Sequence, residues 1–174
     1  MGFLASDIIP VSIGTKWEYA FCSSFYNTNI KLKIIDYSGN RYKVVASGAG
    51  MEGVAFLMCD EDLYITGYSK LPLPTAVQKN NNIANAKKIL ILKNPVIKGA
   101  SWSNDFGIFK VIDTEYKFKI KDKVFKDCIV LRFVDSSGRA SDFYIKEGIG
   151  ILYCSLYIDA IGRASLTLKS FESP

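Results

Sequence analysis

Near its start the sequence reads Pro10-Val11-Ser12-Ile13-Gly14-Thr15-Lys16-Trp17, and the pattern returns as Pro95-Val96-Ile97-Lys98-Gly99-Ala100-Ser101-Trp102. Four positions of Pro-Val-x-x-Gly-x-x-Trp match at identical spacing, 85 residues apart, which indicates an internal repeat. The Pro favours an extended entry, the Gly permits a tight turn, and the Trp supplies a large ring to bury against a sheet. We therefore predict two related halves, residues 1–94 and 95–174, that form one compact unit.

The segments that follow each copy of this motif have the period-two pattern of β-strands. Residues 30–34 alternate Ile and Leu with Lys, residues 116–120 alternate aromatic and aliphatic side chains with Lys, and residues 165–169 alternate Leu with polar side chains. Such alternation is typical of strands with one solvated face, and the Lys face of the second segment is interpreted in this way.

Other runs are apolar at consecutive positions, at 54–58, 89–92 and 128–131, and these favour central strands covered on both sides or strands in a strongly curved sheet. Turn residues such as Gly, Asn, Asp and Ser separate the runs, which gives about eleven or twelve strands. We predict an all-β protein made of curved antiparallel sheets, half-barrel or barrel-like. Thr75 to Lys88 is either a loop or a short helix, and its three consecutive Asn favour the loop.

A family resemblance follows from the repeated Pro-x-x-x-Gly-x-x-Trp motif together with two later segments, Phe125–Ile129 and Tyr144–Leu152. Together they resemble a group of bacterial envelope or lipoprotein-type β-sheet proteins, mostly clostridial and bacillar, with no assigned activity. The resemblance covers nearly the whole chain and implies a curved antiparallel sheet closed by a strand over Ser165–Ser170. It implies no catalytic residue.

The composition excludes several kinds of catalytic site. The chain has no His, which removes Ser-His-Asp and Cys-His catalysis and leaves zinc sites to Cys alone. The four cysteines lack Cys-x-x-Cys spacing, so we expect thiols buried on strands, with disulfides left open as an alternative. They are Cys22, Cys59, Cys128 and Cys154.

Three short motifs have structural interpretations. Gly48, Gly50 and Gly53 match Gly-x-Gly-x-x-Gly, but a strand-like run follows instead of a helix, so we predict a hairpin loop. Gly148-Ile149-Gly150 predicts a bend in a strand. Asp60-Glu61-Asp62 predicts a turn, because three adjacent side chains supply too few oxygens for calcium. No catalytic, cofactor or metal residue is assigned.

The net charge of +5 comes from 22 basic residues, of which only four are Arg. Nucleic-acid interfaces use Arg heavily, so we expect no nucleic-acid partner, with a basic aromatic sheet at residues 116–123 as the alternative. No apolar run is long enough for a transmembrane helix. The first six residues lack the features of a signal peptide, so we expect a cytoplasmic protein as written, or an envelope or extracellular one if a signal peptide was removed.

These observations predict a protein that binds without catalysing a reaction. We expect no enzymatic activity and no cofactor. We expect an apolar ligand held in a curved β-sheet, and no residue is assigned to its binding. The alternative is a protein–protein interaction or structural module of the bacterial cell envelope with no small-molecule ligand.

Overall fold

The computed structural model describes residues 2–25, 27–48, 51–69, 88–158 and 161–174. Within these residues the chain forms one short helix and twelve strands. They are α1 Ala5–Ile8, β1 Lys16–Ser23, β2 Asn27–Ser38, β3 Arg41–Gly48, β4 Met51–Cys59, β5 Leu63–Ser69, β6 Ile89–Leu92, β7 Ser101–Asn104, β8 Gly107–Ile120, β9 Lys123–Asp135, β10 Ala140–Lys146, β11 Gly150–Ile158 and β12 Gly162–Glu172. The predicted loop at Thr75 to Lys88 lies outside the described residues except for Lys88.

All twelve strands form one antiparallel sheet in the order β6-β5-β4-β3-β2-β1-β12-β11-β10-β9-β8-β7. Each half of the chain is a meander, and the two meanders join where β1 pairs with β12, from Lys16↔Glu172 to Ser23↔Ala164. At the other end of the order, the Asn104 side-chain amide on β7 donates to the Leu90 carbonyl on β6 at 3.2 Å. The sheet is therefore a nearly closed barrel, and the predicted all-β curved antiparallel fold is confirmed.

The strands fold as the sequence pattern predicts. In β1 the buried Trp17, Tyr19 and Phe21 alternate with more exposed positions, and β11 alternates in the same way along its whole length. The β2–β3 turn uses Gly39 and Asn40, both at positive φ, which suits the twist of a two-residue hairpin. Alternation and turn chemistry together account for most of the sheet.

Buried side chains form three clusters. One groups α1 with β7, β8, β9 and β10, where Ala5 and Ile8 of the helix are fully buried. A second surrounds Trp17, Tyr19 and Ile34, and a third surrounds Phe21 of β1 together with residues of β11 and β12. The four-residue helix was not predicted, because it is too short to show a helical period.

The first motif ends in a tight turn held by three backbone hydrogen bonds. Gly14, at φ 97°, donates its N–H to the Ile34 carbonyl at 2.8 Å, and Ile34 donates back to the Thr15 carbonyl at 3.0 Å. The third bond runs from the Thr15 N–H to the Ser12 carbonyl at 3.1 Å. Trp17 then follows as the second residue of β1 and is 6% exposed.

The second motif has the same three bonds. Gly99, at φ 87°, donates to Val111 at 2.9 Å, Val111 donates back to Ala100 at 2.9 Å, and Ala100 donates to Ile97 at 3.0 Å. Trp102 is the second residue of β7 and is also 6% exposed. The positive φ of both glycines accounts for Gly at this position of the pattern.

Two sequence predictions are wrong in detail. Gly148-Ile149-Gly150 is the turn from β10 to β11 and not a bend within a strand, because Gly148 and Gly150 at φ 72° and 95° reverse the chain. For Ile89–Leu92 the central-strand interpretation is wrong, because β6 lies at an end of the sheet order, whereas the alternative of a strand in a strongly curved sheet agrees with the structure. Its apolar side chains are covered by the core clusters on the inside and by the approach of β7.

Candidate functional site

The β8–β9 hairpin is the longest in the sheet and is strongly bent. Its register shifts three times, between Val111 and Asp113, between Asp113 and Tyr116, and between Tyr116 and Phe118. At the first shift the Asp113 carboxylate accepts hydrogen bonds from the Thr114 N–H at 2.9 Å and from the Glu115 N–H at 3.4 Å. Such bulges increase bending and twist, so the outer part of the hairpin leaves the plane of the sheet.

The bent hairpin folds back onto the outer face of the barrel. The Phe118 ring lies 4.6 Å from that of Tyr144 on β10 and 5.7 Å from that of Tyr153 on β11. Tyr116 adds a ring contact to Tyr144 at 5.4 Å. Tyr144 and Tyr153 pair across β10 and β11, so these four rings form a continuous aromatic floor on the outer face.

A groove lies beside this floor, between the hairpin tip and the outer face of β1, β11 and β12. Its volume is about 950 Å³. Apolar side chains from five parts of the fold line it: Ala20, Phe118, Ile120, Phe125, Ile149 and Tyr153. Residues of the C-terminal strand β12 also border it, although the side chains of Leu168 and Phe171 pack against the core cluster around Trp17.

The charged lining of the groove is mostly basic. Lys119, Lys121 and Lys123 line it from the hairpin tip, and Asp122 is the one acid among its lining residues. Lys169 also lines it and is paired with Glu18 at 3.1 Å. The Lys123 ammonium lies 4.9 Å from the centre of the Phe125 ring, which combines a cation with an aromatic face.

Tyr144 of the aromatic floor stays protonated at neutral pH. Burial, and then the neighbouring Tyr116, raise the pKa of Tyr144 above its ordinary value. Its phenol is therefore a neutral hydrogen-bond donor beside an apolar surface.

The structure places the lysine-alternating stretch of residues 116–123 on this hairpin. All four lysines from Lys117 to Lys123 are exposed, as expected for a solvated strand face. Their alternate partners Phe118 and Ile120 are half-buried in the groove and not in the barrel core. Sequence reasoning missed the groove because the bulges that bend the hairpin depend on pairing with β9.

The four cysteines are free thiols on strands, but the prediction of buried thiols is correct only for Cys128 and Cys154, since Cys22 is exposed and Cys59 is half-buried. Cys128 and Cys154 are buried, and burial raises the pKa of Cys154 to about 12. Burial also raises the pKa values of Cys59 and Cys128. Thiols with such pKa values are poor nucleophiles at neutral pH.

The acidic and glycine motifs have structural roles. Asp62 lies in the β4–β5 turn, where its carboxylate accepts from the Asn94 N–H at 2.7 Å and from the Tyr64 hydroxyl at 3.2 Å. Gly48 pairs with Met51 and Gly53 with Ala46 across β3 and β4, so these two glycines of the motif lie in a hairpin, while Gly50 lies outside the described residues. Among the described residues no group of three or more acidic or Cys side chains could hold a metal ion.

The two motif tryptophans differ in one contact. The Trp17 indole N–H donates to the Ile149 carbonyl in the β10–β11 turn at 2.6 Å. The Trp102 ring stacks on Phe109 at 5.6 Å, but its indole N–H is buried without a hydrogen-bond partner among the described residues. Both rings belong to core clusters, and neither lines the groove.

No protein-family model and no curated protein sequence matches the chain. Among solved structures, the chain is similar to a protein of Bacteroides fragilis that is described as having a YmcC-like fold and inferred to be exported. That likeness has a TM-score of 0.50 at 14% identity and covers 99% of this chain and 100% of the other. A second neighbour, inferred to be a lipoprotein of Parabacteroides distasonis, has a TM-score of 0.47 at 10% identity and covers 94% and 97% of the two chains.

At these identities the comparison shows the fold alone, an all-β fold shared with a protein inferred to be exported. It does not reproduce the Pro-x-x-x-Gly-x-x-Trp motif or a clostridial or bacillar source for the resemblance. In the described ranges no helix has the length and apolarity needed to cross a bilayer.

Proposed function

We propose that this chain is a non-catalytic binding protein that holds an apolar ligand in the groove under the β8–β9 hairpin. The observation that carries the proposal is the groove itself, about 950 Å³ and lined by the rings of Phe118, Phe125 and Tyr153. Ligand pockets in proteins are typically about 300–1,000 Å³ and are lined mainly by apolar and aromatic side chains.

The proposed ligand lies on the outside of the barrel. The sequence predicts an apolar ligand held in a curved β-sheet. The inner face of the barrel, however, is filled by the three clusters of buried side chains. The outer groove has instead an open apolar surface whose rings already contact one another. It can therefore take a ligand without opening the core.

Binding without catalysis is supported by the chemistry of the site. The lining residues include no Cys and the chain has no His, so no side chain there has an ordinary pKa near neutrality. The groove lysines are exposed, and burial raises the pKa of the adjacent Tyr144, which suits binding contacts better than proton transfer.

We place the protein in the bacterial cell envelope. Support comes from the shared fold with a protein inferred to be exported, and this is an argument from fold alone. We also propose that residues 1–94 and 95–174 are related halves. The identical hydrogen bonds at Gly14 and Gly99 support that relationship.

The binding proposal is tested with a neutral naphthylamine dye whose fluorescence rises in apolar sites. We expect saturable binding to the wild-type protein and loss of binding in Ala20→Phe, because the added ring enters the groove from β1. Ser103→Phe is the matched control, since it adds the same ring to an exposed position of β7 outside the groove. Equal dye binding by all three proteins would contradict the proposal, and absence of dye binding would favour an interaction module.

A further inference from the structure

We infer that the ligand of the groove is a single-chain amphiphile with one anionic head group, its chain along Phe118 and Tyr153 and its head at the hairpin tip. This inference rests on the proposed function and names the ligand class. The ligand class is inferred from the position of the unpaired lysines at the hairpin tip, next to the apolar lining of the groove.

Positive charge is concentrated at one end of the groove. Lys119, Lys121 and Lys123 occupy alternate positions at the turn from β8 to β9, and all three are exposed. Asp122 is the one acid among the lining residues, so the tip carries a net positive charge.

These three lysines have no carboxylate partner among the described residues, whereas several cations elsewhere on the barrel are paired. Lys16 pairs with Glu172, Lys98 with Asp113, and Lys169 with Glu18; Arg132 and Arg139 pair with Asp142 and Asp135. Three neighbouring ammonium groups repel one another, and an anion between them relieves that repulsion.

The cations and the apolar surface belong to the same groove. Lys123 lies over Phe125, and Phe118 follows Lys117 and precedes Lys119 on one strand. An anion without a chain would leave the aromatic floor in water, and a neutral hydrocarbon would leave the lysines unpaired. An anionic amphiphile satisfies both parts of the groove at once.

The head group and the chain are separated by comparing decanoate with decanol, which have the same chain length. We expect calorimetric titration to give an affinity for decanoate about tenfold above that for decanol at low ionic strength, as screened attraction to several lysines implies. The difference should shrink as salt is added, because screening weakens exposed ion pairs.

The lysines are tested by the triple variant Lys119→Gln, Lys121→Gln and Lys123→Gln. We expect its decanoate affinity to fall to the decanol level while its decanol affinity is unchanged. The control triple Lys31→Gln, Lys33→Gln and Lys43→Gln removes the same net charge from β2 and β3 and should bind decanoate as the wild type does.

These experiments distinguish a failure of the anionic-ligand inference from a failure of the proposed function. Equal binding of decanoate and decanol in the wild type overturns the anionic head group but leaves the apolar groove standing. Binding of neither ligand overturns the proposed function and this inference together. Binding to phosphatidylglycerol vesicles without binding of decanoate overturns the single-chain ligand in favour of a membrane surface.

Discussion

The β2–β3 and β8–β9 hairpins hold the same place in the two halves of the sheet, and the second lines the groove described above. The β2–β3 pair shifts register once, after Ile34, and its tip aromatics Tyr37 and Tyr42 contact each other at 4.6 Å. The β8–β9 pair shifts three times, and its aromatic Phe118 reaches across to β10 and β11. Extra length and extra bulges thus turn a hairpin into a cover for the neighbouring strands.

The bases of the two hairpins should be alike in stability, although their tips differ. Ile34 on β2 and Ile129 on β9 are both fully buried. We expect Ile34→Ala and Ile129→Ala each to lower the free energy of unfolding by about 2–5 kcal/mol, measured by urea denaturation. Val124→Ala, at the exposed tip, should change it by less than about 0.5 kcal/mol. A stable Ile129→Ala protein would show that the β9 base is not part of the core.

The two motif tryptophans sharpen the comparison of the halves. Trp17→Phe and Trp102→Phe remove the same atoms, but only the first breaks a described hydrogen bond, to the Ile149 carbonyl. We expect Trp17→Phe to cost about 0.5–1.5 kcal/mol more than Trp102→Phe, because it removes the donor to a part-buried carbonyl. Thermal and urea unfolding of both variants would measure the difference, and equal losses would remove the distinction between the two sites.

The two motif glycines test whether the halves share one turn geometry. We expect Gly14→Ala and Gly99→Ala each to cost roughly 1–2 kcal/mol, the penalty of a side chain at positive φ. The first should cost more, since the added Cβ would lie 3.2 Å from Pro174 Cγ while open space faces Gly99. Ile13→Ala, at an exposed position of the same turn, is the control. A Gly99→Ala protein as stable as wild type would argue against equivalent turns.

The smallest expected effect on stability concerns Asp113, whose carboxylate accepts hydrogen bonds at the first register shift of the β8–β9 hairpin. Hydrogen bonds from the Thr114 N–H and from Lys98 lower the pKa of Asp113, so its ionised form stabilises the fold. That contribution is present above the ordinary pKa and is lost as the pH falls below about 3.8. We expect Asp113→Asn to lower the melting temperature slightly at pH 7 and to match wild type in strong acid. A difference in melting temperature that does not change with pH would contradict this role.

Most of the sheet could be predicted from sequence, because strands and hairpins are encoded by neighbouring residues. Alternation around Trp17 and the Gly39-Asn40 turn are examples of such local signals. Three features depend on contacts between distant segments: barrel closure, the four-residue helix and the edge position of β6. No local sequence pattern predicts them.

The candidate site was only half visible in the sequence. The alternation of Lys with aromatics at residues 116–123 marks the strand that carries both the cations and the rings. Three register shifts against β9, together with contacts to Tyr144 and Tyr153, determine which rings of the hairpin lie on the outer face and not in the core. Those contacts join residues far apart in the chain, so a single sequence does not reveal them.

The central claim is that the groove beneath the β8–β9 hairpin is the binding site, and an NMR titration tests it most directly. Decanoate would be added to nitrogen-labelled protein while the backbone amide shifts are followed. We predict saturable shifts concentrated at groove residues such as Ala20, Phe118 and Tyr153, with the β2–β3 hairpin unchanged. Shifts centred on β2–β3 or on the core around Trp17, or no shifts at all, would contradict the account.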